Sequence, residues 1–242
     1  MKLKRFFSDL LFTRRCIGCN ELLRIGEDNV FCENCAPDFR PTDDKLFYVE
    51  GVEFLKAYCA YEGAIRKALR RFKFYNDGTV GRFFAERIAE MIRNEKLIPK
   101  DFVIVPVPGN IAKSDREYVQ AEFLAKKTAK LLGAECLCNI VTKKRSVKSQ
   151  TKCKTAAERR NNIKGAFRIS AENAEKIEGR NILIIDDIST TGATVTEMSD
   201  TLHRAGAAKI YAGCAAKTPA PSERRNQTIN PHPQNQKSHT IV

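Results

Sequence analysis

The segment from Ile182 to Thr194 constrains the fold of this chain more than any other. It starts with four apolar residues, continues with the adjacent carboxylates Asp186 and Asp187, and then has a turn of small hydroxyl residues before a helical pattern. A short apolar run bounded by a turn predicts a buried strand. Similar strands alternate with helices elsewhere in the chain, which is typical of a mostly parallel sheet covered by helices. We therefore predict an α/β fold.

The flanking segments supply the other elements of this fold. The sequence predicts strands over 102–107, 137–141, 182–185 and 209–215, and helices over 120–132 and 193–205. Gly133 and Gly206 follow the two helices and mark their ends. Parallel sheets of this kind bind ligands beyond the carboxyl ends of their strands.

The turn after the two acids has the composition of a phosphate-binding loop. Small side chains let backbone N–H groups approach a phosphate, and the N-terminus of the next helix adds unpaired donors. The threonine hydroxyls can also donate, and Gly192 permits a backbone angle that other residues resist. The candidate phosphate-binding residues are Ser189, Thr190, Thr191, Gly192, Ala193 and Thr194.

The two adjacent acids set a geometric condition. Neighbouring strand residues point to opposite faces, so Asp186 and Asp187 can face one ligand only if the strand has ended by Asp186. Two carboxylates at that point can bind a pair of ribose hydroxyls, directly or through Mg²⁺. The alternative is a capping pair at the end of the strand. No glycine is followed by lysine and no Gly-x-Gly-x-x-Gly occurs, which argues against the common nucleotide loops.

Four of the nine cysteines form two Cys-x-x-Cys pairs near the N-terminus, with twelve residues between the pairs: Cys16, Cys19, Cys32 and Cys35. Four thiolates in this arrangement predict a closed, tetrahedral and therefore structural zinc site. An iron–sulfur cluster and metal-free thiols are the alternatives. The odd cysteine count argues against a disulfide framework and indicates a reducing compartment, so we expect the protein in the cytoplasm.

Positive charge is concentrated in one part of the chain. The whole chain has 42 basic and 29 acidic residues, a net charge of +13. Between Val141 and Arg168, ten basic residues face one acid, Glu158, which is a net charge of +9. This concentration indicates an anionic partner, phosphate or nucleic acid, although a solvated surface is the alternative. No apolar run approaches the ~20 residues of a spanning helix, so we expect no membrane span.

The segment from Ile184 to Thr194 resembles the motif by which type I phosphoribosyltransferases bind 5-phosphoribosyl 1-diphosphate (PRPP). Together with the cysteine pairs, the wider pattern resembles the ComF family. Where that pattern has Arg-Gly-Phe-Asn-Gln, this chain has Arg-Glu-Tyr-Val-Gln from Arg116 to Gln120. The stretches that carry the wider resemblance are Phe72–Asp77, Val105–Pro108, Arg116–Gln120, Gln150 and Glu158–Phe167.

The resemblance implies a type I phosphoribosyltransferase-like parallel sheet with flanking helices. It implies that Asp186 and Asp187 address the ribose hydroxyls and that the turn up to Thr194 holds the 5′-phosphate. The loop at Pro108 would approach the diphosphate with Mg²⁺, under a basic hood that starts at Lys143, Lys144 and Arg145. We accordingly divide the chain into a zinc-ribbon module (1–44), the phosphoribosyltransferase-like domain (45–218) and a disordered polar tail (219–242).

The function implied by the resemblance is transfer of ribose 5-phosphate from PRPP to an unidentified nitrogen acceptor. The resemblance also links the chain to DNA uptake in natural competence, with single-stranded DNA and a helicase-type ATPase as candidate partners. A non-catalytic accessory protein that binds single-stranded DNA or a partner, and a PRPP-sensing regulator, are the alternatives. Phe167 is the only aromatic residue between 141 and 168, which weakens the case for direct DNA binding there.

Overall fold

The computed structural model describes residues 14–24, 29–42, 45–109, 119–143 and 161–220. The expected tail beyond Ala220 and most of the expected basic hood, including Lys144 and Arg145, lie outside these residues. So do Arg116 and Gln150 of the resemblance.

The described chain includes eight strands, five α-helices and a 3₁₀ helix at Ala36–Asp38. The strands are β1 (Leu46–Phe47), β2 (Leu55–Ala60), β3 (Phe102–Pro106), β4 (Glu135–Cys136), β5 (Val141–Lys143), β6 (Phe167–Ile169), β7 (Asn181–Ser189) and β8 (Ile210–Lys217). The helices are α1 (Gly63–Tyr75), α2 (Gly78–Asn94), α3 (Gln120–Leu132), α4 (Ala171–Glu175) and α5 (Ala193–Arg204).

Six of the strands form one sheet in the order β1-β2-β8-β7-β3-β4. All neighbours in it are parallel except the edge strand β1, which runs antiparallel to β2. The strands β5 and β6 form a separate antiparallel pair. The predicted parallel α/β sheet is therefore confirmed. The predicted helix over 120–132 is confirmed as α3, which ends at Gly133 with a φ of 68°.

The strand predicted over 182–185 is longer than expected, because β7 continues through the two acids to Ser189. Its neighbour β8 keeps pairing along this extension, with Asp186 opposite Cys214 and Ser189 opposite Lys217. The expectation that the strand ends before Asp186 is therefore wrong. Hydrophobic pattern alone marks where a strand is buried on both faces, whereas backbone pairing decides where it ends.

The sheet has a hydrophobic core on each face. Alternate residues of β7 enter opposite cores, as the period of a strand requires. Leu183 and Ile185 pack with residues of α1, α2 and α3, while Ile182 and Ile184 pack with residues of α5 and of the β5–β6 pair. Within the described chain, none of the helices is both long enough and apolar enough to cross a membrane.

The cysteine-rich segment packs on the same core as α1 and α2. Phe31, which lies between the two cysteine pairs, stacks on Phe39 with ring centroids 5.1 Å apart and meets Phe83 of α2 edge-on at 6.2 Å. Gly18 lies against α1 so closely that a Cβ atom there would be 2.9 Å from the Cβ of Ala64. The segment is thus joined to the α/β part through apolar and backbone contacts.

One ion pair is buried within the fold. Lys56 of β2 is 2% exposed, and its Nζ lies 2.8 Å from an Oε of Glu95, which is 12% exposed. Burial by itself raises the pKa of Glu95, but hydrogen bonds from Lys56 and from the N–H groups of Leu97 and Lys96 outweigh it and lower the pKa. The carboxylate is therefore held in its charged form in the folded protein.

We expect Glu95→Ala to lower the free energy of unfolding by about 3–5 kcal/mol at neutral pH, because it leaves the buried Lys56 charge without its carboxylate. Thermal or urea denaturation measures the loss. The lowered pKa of Glu95 means that the wild type loses this stabilisation as pH falls through that pKa. The difference between the two proteins should therefore shrink in acid.

The matched control is Glu135→Ala, which breaks a similarly short pair at the surface. Arg180 and Glu135 are 2.7 Å apart, but their side chains are 41% and 52% exposed. An exposed pair contributes about 1 kcal/mol or less. Equal losses in the two variants would show that burial does not set the strength of the Lys56–Glu95 pair.

Candidate functional site

The strand order creates a crevice between β3 and β7. The chain leaves β3 towards β4 on one side of the sheet and leaves β7 towards β8 on the other. Connections that diverge in this way leave a crevice beyond the carboxyl ends of the strands, where α/β sheets bind ligands. Pairing with β3 stops at Ile185 opposite Pro106, so the last four residues of β7 extend past β3.

The turn after β7 has backbone donors that the fold leaves open. Among the described residues, no backbone carbonyl accepts a hydrogen bond from the N–H groups of Thr190, Thr191 or Gly192. The N–H group of Ala193 is 3.4 Å from Oγ1 of Thr191, within the same turn. These open donors lie just before the N-terminus of α5, which is the arrangement that binds anions in other helices.

Gly192 and Ser189 also have the properties expected of an anion-binding turn. Gly192 is the N-cap of α5, has a φ of 83° and carries no capping side chain. A Cβ atom there would be 3.0 Å from Val49, so both the backbone angle and the limited space favour glycine. Ser189 is 3% exposed, and its Oγ has no hydrogen-bond partner among the described residues. A buried hydroxyl without a partner is unusual, and a ligand would satisfy it.

The carboxyl groups of Asp186 and Asp187 interact although both residues belong to β7. An Oδ of Asp186 accepts a hydrogen bond from the N–H of Asp187 at 2.8 Å, and an Oδ of Asp187 accepts one from Ile188 at 2.8 Å. Burial raises the pKa of Asp186 well above its ordinary value, and the charge and hydrogen bond of Asp187 raise it further. The strand therefore does not keep the two groups apart, as strict alternation would.

Two lysines from distant parts of the chain act on this acid pair. Nζ of Lys73, near the end of α1, is 3.9 Å from an Oδ of Asp187. Lys143 ends β5, and burial lowers its pKa, while the charge of Asp186 raises it and that of Lys73 lowers it. The pKa of Asp186 is likewise lowered by the charge of Lys73. The site thus combines two carboxyl groups and two amino groups.

The remaining predicted residues lie beside this cluster or outside the described chain. Pro108 follows β3 and is half-buried, and the N–H of Val107 before it bonds to the carbonyl of Ile185 at 2.9 Å. The loop after β3 therefore begins beside Ile185, the residue before the two acids. Lys144 and Arg145 are outside the described residues.

Sequence reasoning did not select two lysines near the turn and the acids. Lys73 belongs to the Phe72–Asp77 stretch of the family resemblance, which assigns it no role at the site. Lys217 ends β8, and its Nζ donates to the carbonyl of Thr190 at 3.2 Å. The signal for Lys217 is its position at the carboxyl end of the strand next to β7, which is known only from strand order.

The four predicted metal ligands come together in one cluster. The sulfur atoms of Cys16, Cys19, Cys32 and Cys35 all lie within 4.8 Å of one another. Sγ of Cys19 and Sγ of Cys32 are 3.6 Å apart. Zinc–sulfur bonds of about 2.3 Å in a tetrahedron require sulfur–sulfur distances of about 3.8 Å, so the cluster can hold a metal ion such as zinc.

The thiols of the cluster differ in how readily they ionise. For Cys16, burial opposes ionisation, but hydrogen bonds from the backbone N–H groups of Cys32 and Cys19 outweigh it and lower the pKa to about 7. Burial raises the pKa of Cys19 to about 11 and raises that of Cys35 further. In the absence of a cation, four thiolates cannot share this small volume, which is the electrostatic condition that a metal ion relieves.

Residues 119–238 match the family model described as "Phosphoribosyl transferase domain". This match begins just before α3, includes the turn before α5, and continues past the end of β8 at Lys217.

Two of the curated relatives are similar over most of the chain. The chain is 31% identical to "Competence protein ComFC" of Streptococcus pneumoniae, over 87% of this chain and 93% of that protein. It is 26% identical to "Competence protein F" of Haemophilus influenzae, over 82% of this chain and 95% of that protein. It is 28% identical to "DNA utilization protein YhgH" of Salmonella typhi, over 55% of this chain and 60% of that protein.

Two solved structures match part of the chain at low sequence identity and low TM-score. The purine phosphoribosyltransferase from Pyrococcus horikoshii matches with a TM-score of 0.35 and 19% identity, over 57% of this chain and 74% of that chain. The glutamine PRPP amidotransferase from B. subtilis matches with a TM-score of 0.38 and 18% identity, over 56% of this chain and 26% of that chain. Similarities this distant say nothing about the chemistry of the site. The relatives of nearly full length show that the chain belongs to the ComF family, with a phosphoribosyltransferase-like α/β fold.

Proposed function

We propose that this protein binds PRPP together with Mg²⁺ in the crevice between β3 and β7 and transfers its ribose 5-phosphate to a nitrogen acceptor. The observation that carries the proposal is the set of open N–H groups at Thr190, Thr191 and Gly192. They precede a helix N-terminus without a capping side chain, and they follow Ser189 in the chain, whose buried hydroxyl has no partner among the described residues. A phosphate in this turn would satisfy these donors together.

The acid pair suits the ribose of the same ligand. A 5′-phosphate bound at the turn after β7 directs the sugar back along the end of that strand, where Asp186 and Asp187 lie. Carboxylates accept hydrogen bonds from vicinal hydroxyls, and bonds to a charged group are among the stronger ones. The raised pKa of Asp186 means that it binds as a carboxylate most readily when a cation is close.

The lysines suit the leaving diphosphate. In the transfer, the bond from ribose C1 to the diphosphate oxygen breaks and a bond from C1 to the acceptor nitrogen forms, while the nitrogen loses its proton. Negative charge grows on the diphosphate as the ribose becomes oxocarbenium-like. Lys73 and Lys143 supply positive charge near the acids, and preorganised charge of this kind stabilises such a transition state.

The donor set near the acids also fits a divalent cation bound through its ligand. Mg²⁺ usually binds to one or two carboxylates and takes its other oxygens from substrate phosphates and water. Asp186 and Asp187 offer such a pair, so they would hold the ion jointly with PRPP. When bound, Mg²⁺ supplies charge neutralisation at the diphosphate. We propose that the protein acts in the cytoplasm, the reducing compartment that its odd number of cysteines indicates.

We expect the double variant Asp186→Asn with Asp187→Asn to lose PRPP binding by roughly 100-fold or more. The reason is that each hydrogen bond to a charged group contributes about 1.5–3 kcal/mol. Calorimetry with PRPP and Mg²⁺ measures the affinity, and diphosphate release with a panel of nucleobases measures transfer. If the double variant binds PRPP as the wild type does, the site is wrongly assigned.

The control for charge is Asp101→Asn, an exposed acid just before the start of β3, at the opposite end of the sheet. It should bind PRPP normally. The control for folding is Asp186→Asn alone. Because burial raises the pKa of Asp186, the wild type loses stability as pH rises from the ordinary carboxyl value through the raised pKa. The single variant should therefore melt above the wild type at neutral pH, which separates lost binding from lost folding.

We also propose that the four-cysteine cluster holds one structural zinc ion. Every sulfur in it is a protein ligand, so no coordination position is left open for a substrate. Since the cluster packs on α1 and α2, the metal would stabilise that side of the core.

Metal analysis of the purified protein should find one zinc ion per chain. Cys35→Ser should lose the metal and melt at a lower temperature, because three sulfurs and a hydroxyl hold zinc poorly. Cys138→Ser, a half-buried cysteine outside the cluster, is the control and should keep its zinc. Iron with visible absorption in place of zinc would identify an iron–sulfur cluster and contradict the proposal.

A second candidate function, binding of single-stranded DNA, is favoured by the outer face of α1. We define this basic aromatic face as Arg66, Lys67, Arg70, Phe74 and Tyr75, all of which are exposed. Phe74 is 49% and Tyr75 81% exposed. Basic grooves with stacking rings are how proteins bind single strands without sequence preference. Several relatives are named competence or DNA utilization proteins, so we propose that this face handles incoming DNA alongside a helicase-type partner.

We expect Arg66→Gln with Arg70→Gln to weaken binding of a labelled oligonucleotide and to reduce its salt slope by about 1.4, since each single-strand phosphate contact contributes about 0.7. Tyr75→Ala should weaken binding by about 1–3 kcal/mol through lost stacking. The controls are Lys96→Gln with Lys100→Gln, and Tyr48→Ala, whose ring is 88% exposed. Binding that is insensitive to salt, or equally weakened by the controls, would exclude this face.

A further inference from the structure

The side chain of Arg71 joins the cysteine cluster to α1. Its Nη1 donates to the carbonyl of Gly18 at 2.6 Å, and its Nη2 donates to the carbonyl of Ile17 at 3.0 Å. Both carbonyls belong to the two residues between Cys16 and Cys19. The guanidinium therefore binds the loop that presents two of the four sulfurs. Ile17 is next to Cys16 in the chain, and Gly18 is next to Cys19.

The third donor of the same guanidinium, Nε, binds a residue at the start of the next helix. Nε of Arg71 donates to Oδ2 of Asp77 at 3.1 Å. The other carboxylate oxygen of Asp77 accepts from the N–H groups of Thr79 and Val80 and so caps α2. Arg71 and Asp77 are each only about one-fifth exposed. One planar group thus fixes the cysteine loop, the last part of α1 and the start of α2 relative to one another.

The cysteine loop also rests on the first turn of α1. A Cβ atom at Gly18 would be 2.9 Å from the Cβ of Ala64 and 2.8 Å from Sγ of Cys35. Ala64 and Arg71 are about 10 Å apart along the helix axis, at a rise of about 1.5 Å per residue. Two contacts at that separation define both the position and the direction of the helix.

The end of α1 is what brings Lys73 to the acids. Lys73 lies two residues after Arg71, and its Nζ is 3.9 Å from Asp187. Nε2 of Gln120 donates to the carbonyl of Lys73 at 3.3 Å and holds the same turn from the side of α3. A shift of α1 by one or two ångströms would therefore move the amino group away from the acid pair.

We propose that Arg71 is a positioning residue that couples the cysteine cluster to the PRPP site, so that metal binding and PRPP binding strengthen each other. The coupling to PRPP in this inference rests on the proposed PRPP function. Metal binding orders the cysteine loop, whose carbonyls accept hydrogen bonds from Arg71. Through Arg71 the ordered loop holds α1 in the position in which Lys73 contacts the bound PRPP. Coupling of two equilibria is reciprocal, so PRPP tightens the metal by the factor by which the metal tightens PRPP.

The first measurement needs no PRPP. In the full chain, Arg71→Met keeps the length of the side chain but removes its donors, and zinc affinity is measured by competition with a chelator. We expect about tenfold weaker binding, the size typical of lost outer-shell partners of metal ligands. The matched control is Arg93→Met on α2, whose guanidinium also donates to a backbone carbonyl, that of Leu131 at 2.8 Å. It should keep the wild-type affinity.

The second measurement tests the coupling itself. Chelation of zinc should weaken PRPP binding to the wild type about fivefold or more, and should change it little in Arg71→Met. If chelation weakens PRPP binding equally in both proteins, or if Arg71→Met binds zinc as the wild type does, the proposal is overturned. If Arg71→Met melts below the assay temperature, Arg71→Lys is used in its place. This variant keeps the positive charge but lacks the planar set of guanidinium donors, and the same outcomes decide.

These two arms also separate this inference from the proposed function. A wild type that binds zinc but shows no PRPP binding refutes the PRPP proposal alone. In that case the effect of the metal on the end of α1 is measured by hydrogen exchange of the backbone amides of residues 72–76. These should exchange faster after chelation in the wild type, whereas unchanged exchange overturns the inference.

Discussion

The unequal pairing of β7 is the constraint on which the candidate site depends. Its neighbour β3 accompanies it only to Ile185, whereas β8 accompanies it to Ser189. The acids are therefore supported by backbone pairing on one side and open to the crevice on the other. The pairing with β8 holds Asp186, whose carboxyl has a raised pKa, beside a second acid, an arrangement that electrostatics alone would disfavour.

Around this strand end, groups from four separate segments meet. Lys73 comes from α1, Lys143 from β5, Lys217 from β8 and Pro108 from the loop after β3. The amino groups of Lys73 and Lys143 offset the charge of the acids, and the turn after β7 adds backbone donors that have no partner among the described residues. A site with unsatisfied donors and a raised carboxyl pKa is less stable than the fold could be, which is typical of places that bind charged ligands.

The cysteine cluster supports the candidate site indirectly, because it packs in the same hydrophobic core as α1 and α2. A segment of this size cannot bury enough apolar surface to fold alone, and metal ligation with packing on a larger domain overcomes that limit. Arg71 shows that the join is polar as well as apolar, since its guanidinium satisfies two carbonyls of the cysteine loop. The position of α1 thus depends on both parts of the chain.

The sequence alone determined the parallel α/β fold, the limits of α3 and the cysteine cluster, because each is encoded by local residue pattern. It failed where the cause is non-local. The extension of β7 past Asp186 depends on pairing with β8, and the proximity of Lys73 and Lys217 to the site depends on strand order and helix packing. Only the tertiary structure decided these contacts, because they join residues more than a hundred positions apart or depend on how distant strands are ordered, and no local pattern records such distances.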